Sequence, residues 1–115
     1  MEKLKVFVSQ PMSGKREKEI LEDRSNLIEK LSHFGIYKDS IDIIDTYIKK
    51  EPPEDSNVRL WYLGKTIELL AQADLVIFAP DWQKARGCRI EHECAKIYHI
   101  PIIVVGNEEY LEIEE

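Results

Sequence analysis

The sequence predicts an α/β protein: a three-layer domain, flavodoxin-like or Rossmann-like, built on a mainly parallel sheet of four to five strands. Three observations carry this. Short apolar runs with strand character alternate along the chain with longer segments of helical periodicity, the pattern of a parallel sheet covered by helices on both faces. The last of these runs, Ile102-Ile103-Val104-Val105, is apolar at every position, as a strand buried on two faces must be. The chain has 115 residues, 43% of them hydrophobic, enough for one domain with a real core.

The elements follow in order. Leu4–Ser9 alternates and reads as the first strand. Gln10-Pro11-Met12-Ser13-Gly14 is a turn, because Pro11 and Gly14 both interrupt regular structure. Across residues 15–34, Ile20, Leu27, Ile28 and Leu31 recur at helical spacing with charge on the other faces, and Gly35 supplies the stop. Residues 41–45 form the second strand. Pro52 and Pro53 make residues 51–57 a loop, and Ser56 or Asn57 then caps a helix over 58–72. In that helix Leu60, Leu63, Ile67 and Leu70 fall at i, i+3, i+7 and i+10, an apolar stripe with Trp61 alongside. Residues 75–79 are the third strand, with Asp74 at its start, and 87–98 the third helix. Residues 101–105 are the fourth strand, closed by Gly106. An acidic tail occupies 107–115, where Glu108, Glu109, Glu112, Glu114 and Glu115 are expected to be solvated.

Composition narrows the function classes. A formal charge of −6 argues against non-specific nucleic-acid binding. No apolar run approaches the roughly 20 residues of a membrane helix, and the start lacks the organisation of a signal peptide, so a cytoplasmic protein is expected. Cys88 and Cys94 are the only cysteines, and six residues apart on a helix they are too distant for a disulfide. With His92 and His99 they do not match the tighter paired spacing of structural zinc ligands, so neither a metal nor a cofactor is expected. His33 and His99 read as helix-end or loop residues.

The candidate chemistry lies at the ends of the first and third strands, the edge where open parallel sheets bind ligands. Glu91 falls in the first turn of the third helix, where the helix dipole favours its ionised form. It could act as a nucleophile or stabilise an oxocarbenium-like centre; a purely local helix-start role explains the same residue. Asp81 could supply a second carboxylate, or serve only as a turn residue after Pro80. The turn holding Gln10, Ser13, Gly14 and Lys15 could bind an anion through backbone N–H groups, the Ser13 hydroxyl and the Lys15 ammonium. It is neither a P-loop nor a dinucleotide loop, and a tight turn followed by solvated charges fits it as well. Trp82 could cover a planar base or pack on the neighbouring helix.

Two motifs resemble the nucleoside 2-deoxyribosyltransferase superfamily, nearest to its small uncharacterised phage and bacterial branch. Gln10-Pro11-Met12-Ser13-Gly14-Lys15 matches a GPM-[ST]-G-K turn after the first strand. Asp74, Pro80, Trp82, Gly87, Glu91 and Ala95 match a later pattern of Asp, apolar strand, Pro, Trp, Gly, Glu and Ala. The resemblance spans roughly residues 4 to 105. It implies a nucleoside or nucleotide pocket at the strand ends, with Glu91 as the nucleophile that forms a glycosyl-enzyme intermediate. It places Ser13, Gly14 and Lys15 on a 5′-phosphate and Gly87 and Cys88 beside the glutamate. It also implies a homodimer or larger homo-oligomer, for which the helix carrying Trp61 and Tyr62 is a candidate face.

The sequence departs from the superfamily pattern at four points. Phe7 replaces a tyrosine, Ser9-Gln10-Pro11 replaces an AGP turn, Cys88 replaces a serine or threonine, and Ala85-Arg86 stands where a carboxylate is common. The leading expectation is a nucleoside or nucleotide N-glycosidase or 2-deoxyribosyltransferase-like enzyme, with Asp81 assisting the leaving base. The alternative is a non-catalytic nucleotide-binding or sensing module of the same fold, which the departures favour. A domain with a purely structural role would neither bind nor turn over such ligands.

Overall fold

A computed structural model describes residues 3–106, together with the backbone of residues 111–114. The chain runs β1 (Leu4–Ser9), α1 (Glu17–Lys30), β2 (Ile41–Ile43), α2 (Val58–Leu70), β3 (Leu75–Phe78), α3 (Arg86–Ile97), β4 (Ile102–Val105) and β5 (Leu111–Glu114). Short 3₁₀ turns at Leu31–Phe34, Lys38–Ser40 and Trp82–Lys84 join them. The sheet order is β2-β1-β3-β4-β5; the first four strands are parallel, and β5 is antiparallel to β4.

Burial explains why the strands carry apolar residues at nearly every position. Val6 and Val8 of β1 face one layer, where Leu27 and Leu31 close the core, while Phe7 faces the other with Leu70 and Ala95. Val76 and Phe78 lie in that second layer, and Leu75 and Ile77 in the first. α1 therefore covers one face of the sheet and α2 with α3 the other. No side chain of β1 beyond Lys5 is left to face water.

Local signals set the helix ends. The Asn57 side chain accepts a hydrogen bond from the Leu60 backbone N–H at 3.0 Å, an N-cap satisfying one of the free donors of α2. Gly35 takes φ +75°, the left-handed conformation that suits glycine, and ends the turn after α1 with a 3.0 Å bond to the Ser32 carbonyl. At the start of β3, the Asp74 carboxylate accepts the Lys5 N–H at 2.8 Å, tying two parallel strands together.

Two expectations change. Residues 107–115 are not all tail: Leu111–Glu114 adds an edge strand, pairing Ile103 with Ile113 and Val105 with Leu111. Glu108, Glu109 and Glu115 lie outside the described residues. The stripe on α2 also divides. Leu70 is buried and Ile67 packs on the same cluster, but Leu60 is 61% exposed and, with Leu63, lines a cleft. Trp61 and Tyr62 form an edge-to-face pair at 5.1 Å, with the Lys65 ammonium 5.5 Å from the Trp61 ring. No described helix is long and apolar enough to cross a membrane.

Candidate functional site

The chain leaves β1 towards α1 on one face and leaves β3 towards α3 on the other. The connections diverge between two neighbouring strands, and a crevice opens beyond their carboxyl ends. A cleft of about 660 Å³ occupies this place, within the range of small-molecule sites. The turn after β1, the start and middle of α2, and the first two turns of α3 form its walls.

Glu91 stands in the cleft and is only 7% exposed. Each carboxyl oxygen has a hydroxyl partner. Ser9, the last residue of β1, donates to Oε1 at 2.7 Å, and Thr66 of α2 lies 2.9 Å from Oε2. Three elements thus converge on one carboxyl group. α3 begins at Arg86, so Glu91 is in the second helical turn and not the first. The dipole is correspondingly not what decides its ionisation. Burial raises its pKa, against hydrogen bonds from Ser9 and Thr66 that act to lower it.

The hydroxyl geometry points the same way. Thr66 Oγ1 is 2.9 Å from Glu91 Oε2 and also 2.9 Å from the Leu63 carbonyl oxygen. A hydroxyl has one proton and cannot donate to both. When Glu91 carries a proton it donates to Thr66 Oγ1, and the Thr66 proton goes to Leu63. Every group is satisfied in that protonated form, in line with the direction in which burial moves the carboxyl.

Cys88 is buried in the lining one turn before Glu91. Burial pushes its thiol up to about 11; the Ser9 hydroxyl opposes this, and the charges of Glu91 and Asp81 add to the rise. At neutral pH it is a thiol, not a nucleophilic thiolate. Gly87 lines the same wall, where a Cβ would meet Leu63 Cδ1 at an ordinary 3.8 Å.

The β1–α1 turn divides the expected binding residues. Gln10 and Ser13 line the cleft. The buried Gln10 amide donates to the Ile20 carbonyl at 3.0 Å and accepts from Arg24 Nε at 3.3 Å, so both ends are committed to α1. Arg24 also donates to Thr46, another buried lining residue, at 3.0 Å. Burial works against the Arg24 charge, and Asp45 supports it. Gly14 holds φ +77° at the corner of the turn and does not line the cleft. Lys15 lies outside the lining as well: its ammonium pairs with Asp23 of α1 at 3.0 Å, the contact that raises its pKa most, with Asp81 and Glu19 adding.

Two expected residues fall elsewhere. Asp81 stands at the N-cap position of the 3₁₀ turn after β3 without a side-chain capping bond and is not part of the lining, although its charge reaches Lys15 and Cys88. Trp82 packs on α3: its ring stacks on His92 at 4.0 Å with a 10° tilt and lies 5.5 Å from Phe78. Of the two roles open to it, helix packing is the one seen. Among the described residues no group of three or more His, Cys, Asp or Glu is placed to hold a metal ion.

Ser9 and Thr66 had not been singled out from the sequence. Thr66 left a signal: it lies three residues after Leu63 and four before Leu70, a hydroxyl set inside an apolar stripe. Ser9 left a weaker one, a small polar residue closing an otherwise buried strand. Arg86, whose charge beside Gly87 and Cys88 the sequence places near this edge, is in the lining; Arg59 and Lys84, also in the lining, left no signal, since surface cations occur throughout the chain.

No curated protein and no solved structure matches the chain. The model of one family, the domain of unknown function DUF4406, matches residues 4–104. That match covers most of the chain, including the parallel sheet up to Val104 and the whole of the described cleft lining, and the protein belongs to the DUF4406 family.

Proposed function

We propose that the chain is an N-glycosyl hydrolase or transferase acting on nucleosides or nucleoside 5′-monophosphates, with Glu91 as the reacting carboxyl. The observation that carries this reading is a buried carboxyl in the cleft, alone there among the described residues and held at both oxygens by hydroxyls from β1 and α2. Such a group is fixed in orientation before a ligand arrives, which is what attack on one carbon requires. In its ionised form a Glu91 oxygen bonds to the anomeric carbon as the glycosidic C–N bond breaks, and the base leaves with that electron pair. The leaving base takes up a proton from water as it departs. Water or a second base then displaces Glu91 from the sugar. Asp81 has no part in this scheme, because it stands outside the lining.

The test is base release from a panel of nucleosides and 5′-monophosphates by the parent protein and by Glu91→Gln. The expected result is release by the parent and its loss in the variant. No release by the parent on any member of the panel refutes the reaction. A second reading, a nucleotide-binding or sensing module without turnover, is favoured by the burial that disfavours the ionised, nucleophilic form of Glu91. It predicts ligand-induced thermal stabilisation with no free base.

A further inference from the structure

The charge of the cleft is opposite to that of the chain. The protein carries a formal −6, yet among the described residues the cleft lining holds three cations, Arg59, Lys84 and Arg86, and one carboxyl, Glu91. The cations come from three elements: the first turn of α2, the 3₁₀ turn after β3, and the first residue of α3. Among the described residues, the ion pairs within 4 Å are Lys15 with Asp23, Lys38 with Glu29 and Lys65 with Glu68. None of the three rim cations takes part in one. Three cations brought to one opening without carboxylate partners mutually repel, and an anion bound among them relieves that repulsion.

We propose that Arg59, Lys84 and Arg86 form the anion-binding rim of the cleft and hold the phosphate of a phosphorylated nucleoside, so that the site selects nucleotides over free nucleosides. The nucleoside half of this statement rests on the function proposed above; the phosphate half rests on the rim. The arrangement moves the phosphate from the β1–α1 turn, whose Lys15 is committed to Asp23, to the opposite wall built by α2 and α3. Guanidinium groups suit this role, because their paired N–H donors match two phosphate oxygens at once. A nucleic-acid backbone fits less well, since the rest of this acidic surface would repel it.

The experiment is calorimetric titration of the full chain with nucleoside 5′-monophosphates, the matching free nucleosides and inorganic phosphate. The parent is compared with R86Q and with the triple variant R59Q/K84Q/R86Q. All three side chains are exposed, so denaturant curves should show the variants folded. The parent is expected to bind a monophosphate at least about tenfold more tightly than its nucleoside, the scale of one hydrogen bond to a charged group. Added salt should erode that preference, R86Q should reduce it, and the triple variant should abolish it while leaving nucleoside affinity in place. Equal affinity of the parent for monophosphate and nucleoside overturns the rim, as does a preference that survives in the triple variant. So does a parent that binds neither monophosphate nor inorganic phosphate. Base release without phosphate preference leaves Glu91 its role and removes the rim; phosphate preference without base release does the reverse.

Discussion

Glu91→Gln replaces a carboxyl oxygen by an amide nitrogen of nearly the same size, and the surroundings define what the change should do to stability. The amide oxygen can accept from Ser9 as Oε1 does, and the amide N–H can donate to Thr66 Oγ1 while Thr66 donates to Leu63. The variant therefore copies the protonated acid. Burial raises the Glu91 pKa in the folded chain above the roughly 4.3 of an unfolded glutamate. Between those two values the folded protein holds a proton that the unfolded chain has lost, so the parent loses stability as pH rises through that window. One proton corresponds to a slope of up to about 1.4 kcal/mol per pH unit. The variant has no such slope at this position. Parent and variant should match within about 0.5 kcal/mol near pH 4, the scale of a neutral exchange. The variant should then gain relative to the parent as pH rises, and level off once the pH passes the raised value. Urea unfolding curves at half-unit steps from pH 4 to 8 measure this difference, and the other titrating groups cancel in the comparison. A difference that stays constant across the range, or a parent that is the more stable at pH 8, refutes the reasoning.

Two further outcomes follow from side chains that the fold places clearly. Cys88, buried and with its thiol pushed up to about 11, should resist alkylation by iodoacetamide at pH 8 in the native protein and react readily in urea; rapid native labelling of Cys88, read by peptide mass, would contradict the site geometry. Asn57→Ala removes the cap on the Leu60 N–H and should lower unfolding free energy by about 1 kcal/mol, with no change in denaturant slope; an unchanged midpoint would mean that water caps α2 equally well.

The parallel sheet was legible because strands covered on both sides carry an unbroken apolar record, as Leu75–Phe78 and Ile102–Val105 do. The fifth strand hid behind charge. Leu111-Glu112-Ile113-Glu114 alternates with a period of two, but in a glutamate-rich terminus the charge outweighed the alternation. At the site, the spacing from strand end to helix pointed to Glu91, because that geometry is local. What holds Glu91 is not local: Ser9 is 82 residues away and Thr66 25. The stripe Leu60, Leu63, Ile67 and Leu70 divides because periodicity cannot tell a core from a cleft wall, since both demand apolar side chains. Lys15 shows the converse limit. The turn around it suggested an anion, and a carboxylate eight residues on, Asp23, had already taken its charge.

The single proton of Thr66 has a consequence for α2 as a whole. Its two possible acceptors belong to different partners, a side chain of α3 and the main chain of α2 itself. If Glu91 ionises, the hydroxyl must rotate towards the new charge and give up Leu63. The main chain of α2 is thereby made party to the event. Thr66 sits midway along a helix whose first turns wall the cleft and whose last residue, Leu70, is 2% exposed in the core. Acid–base chemistry at one carboxyl is thus wired to the backbone of the element that spans from solvent to core, through a rotor one bond long.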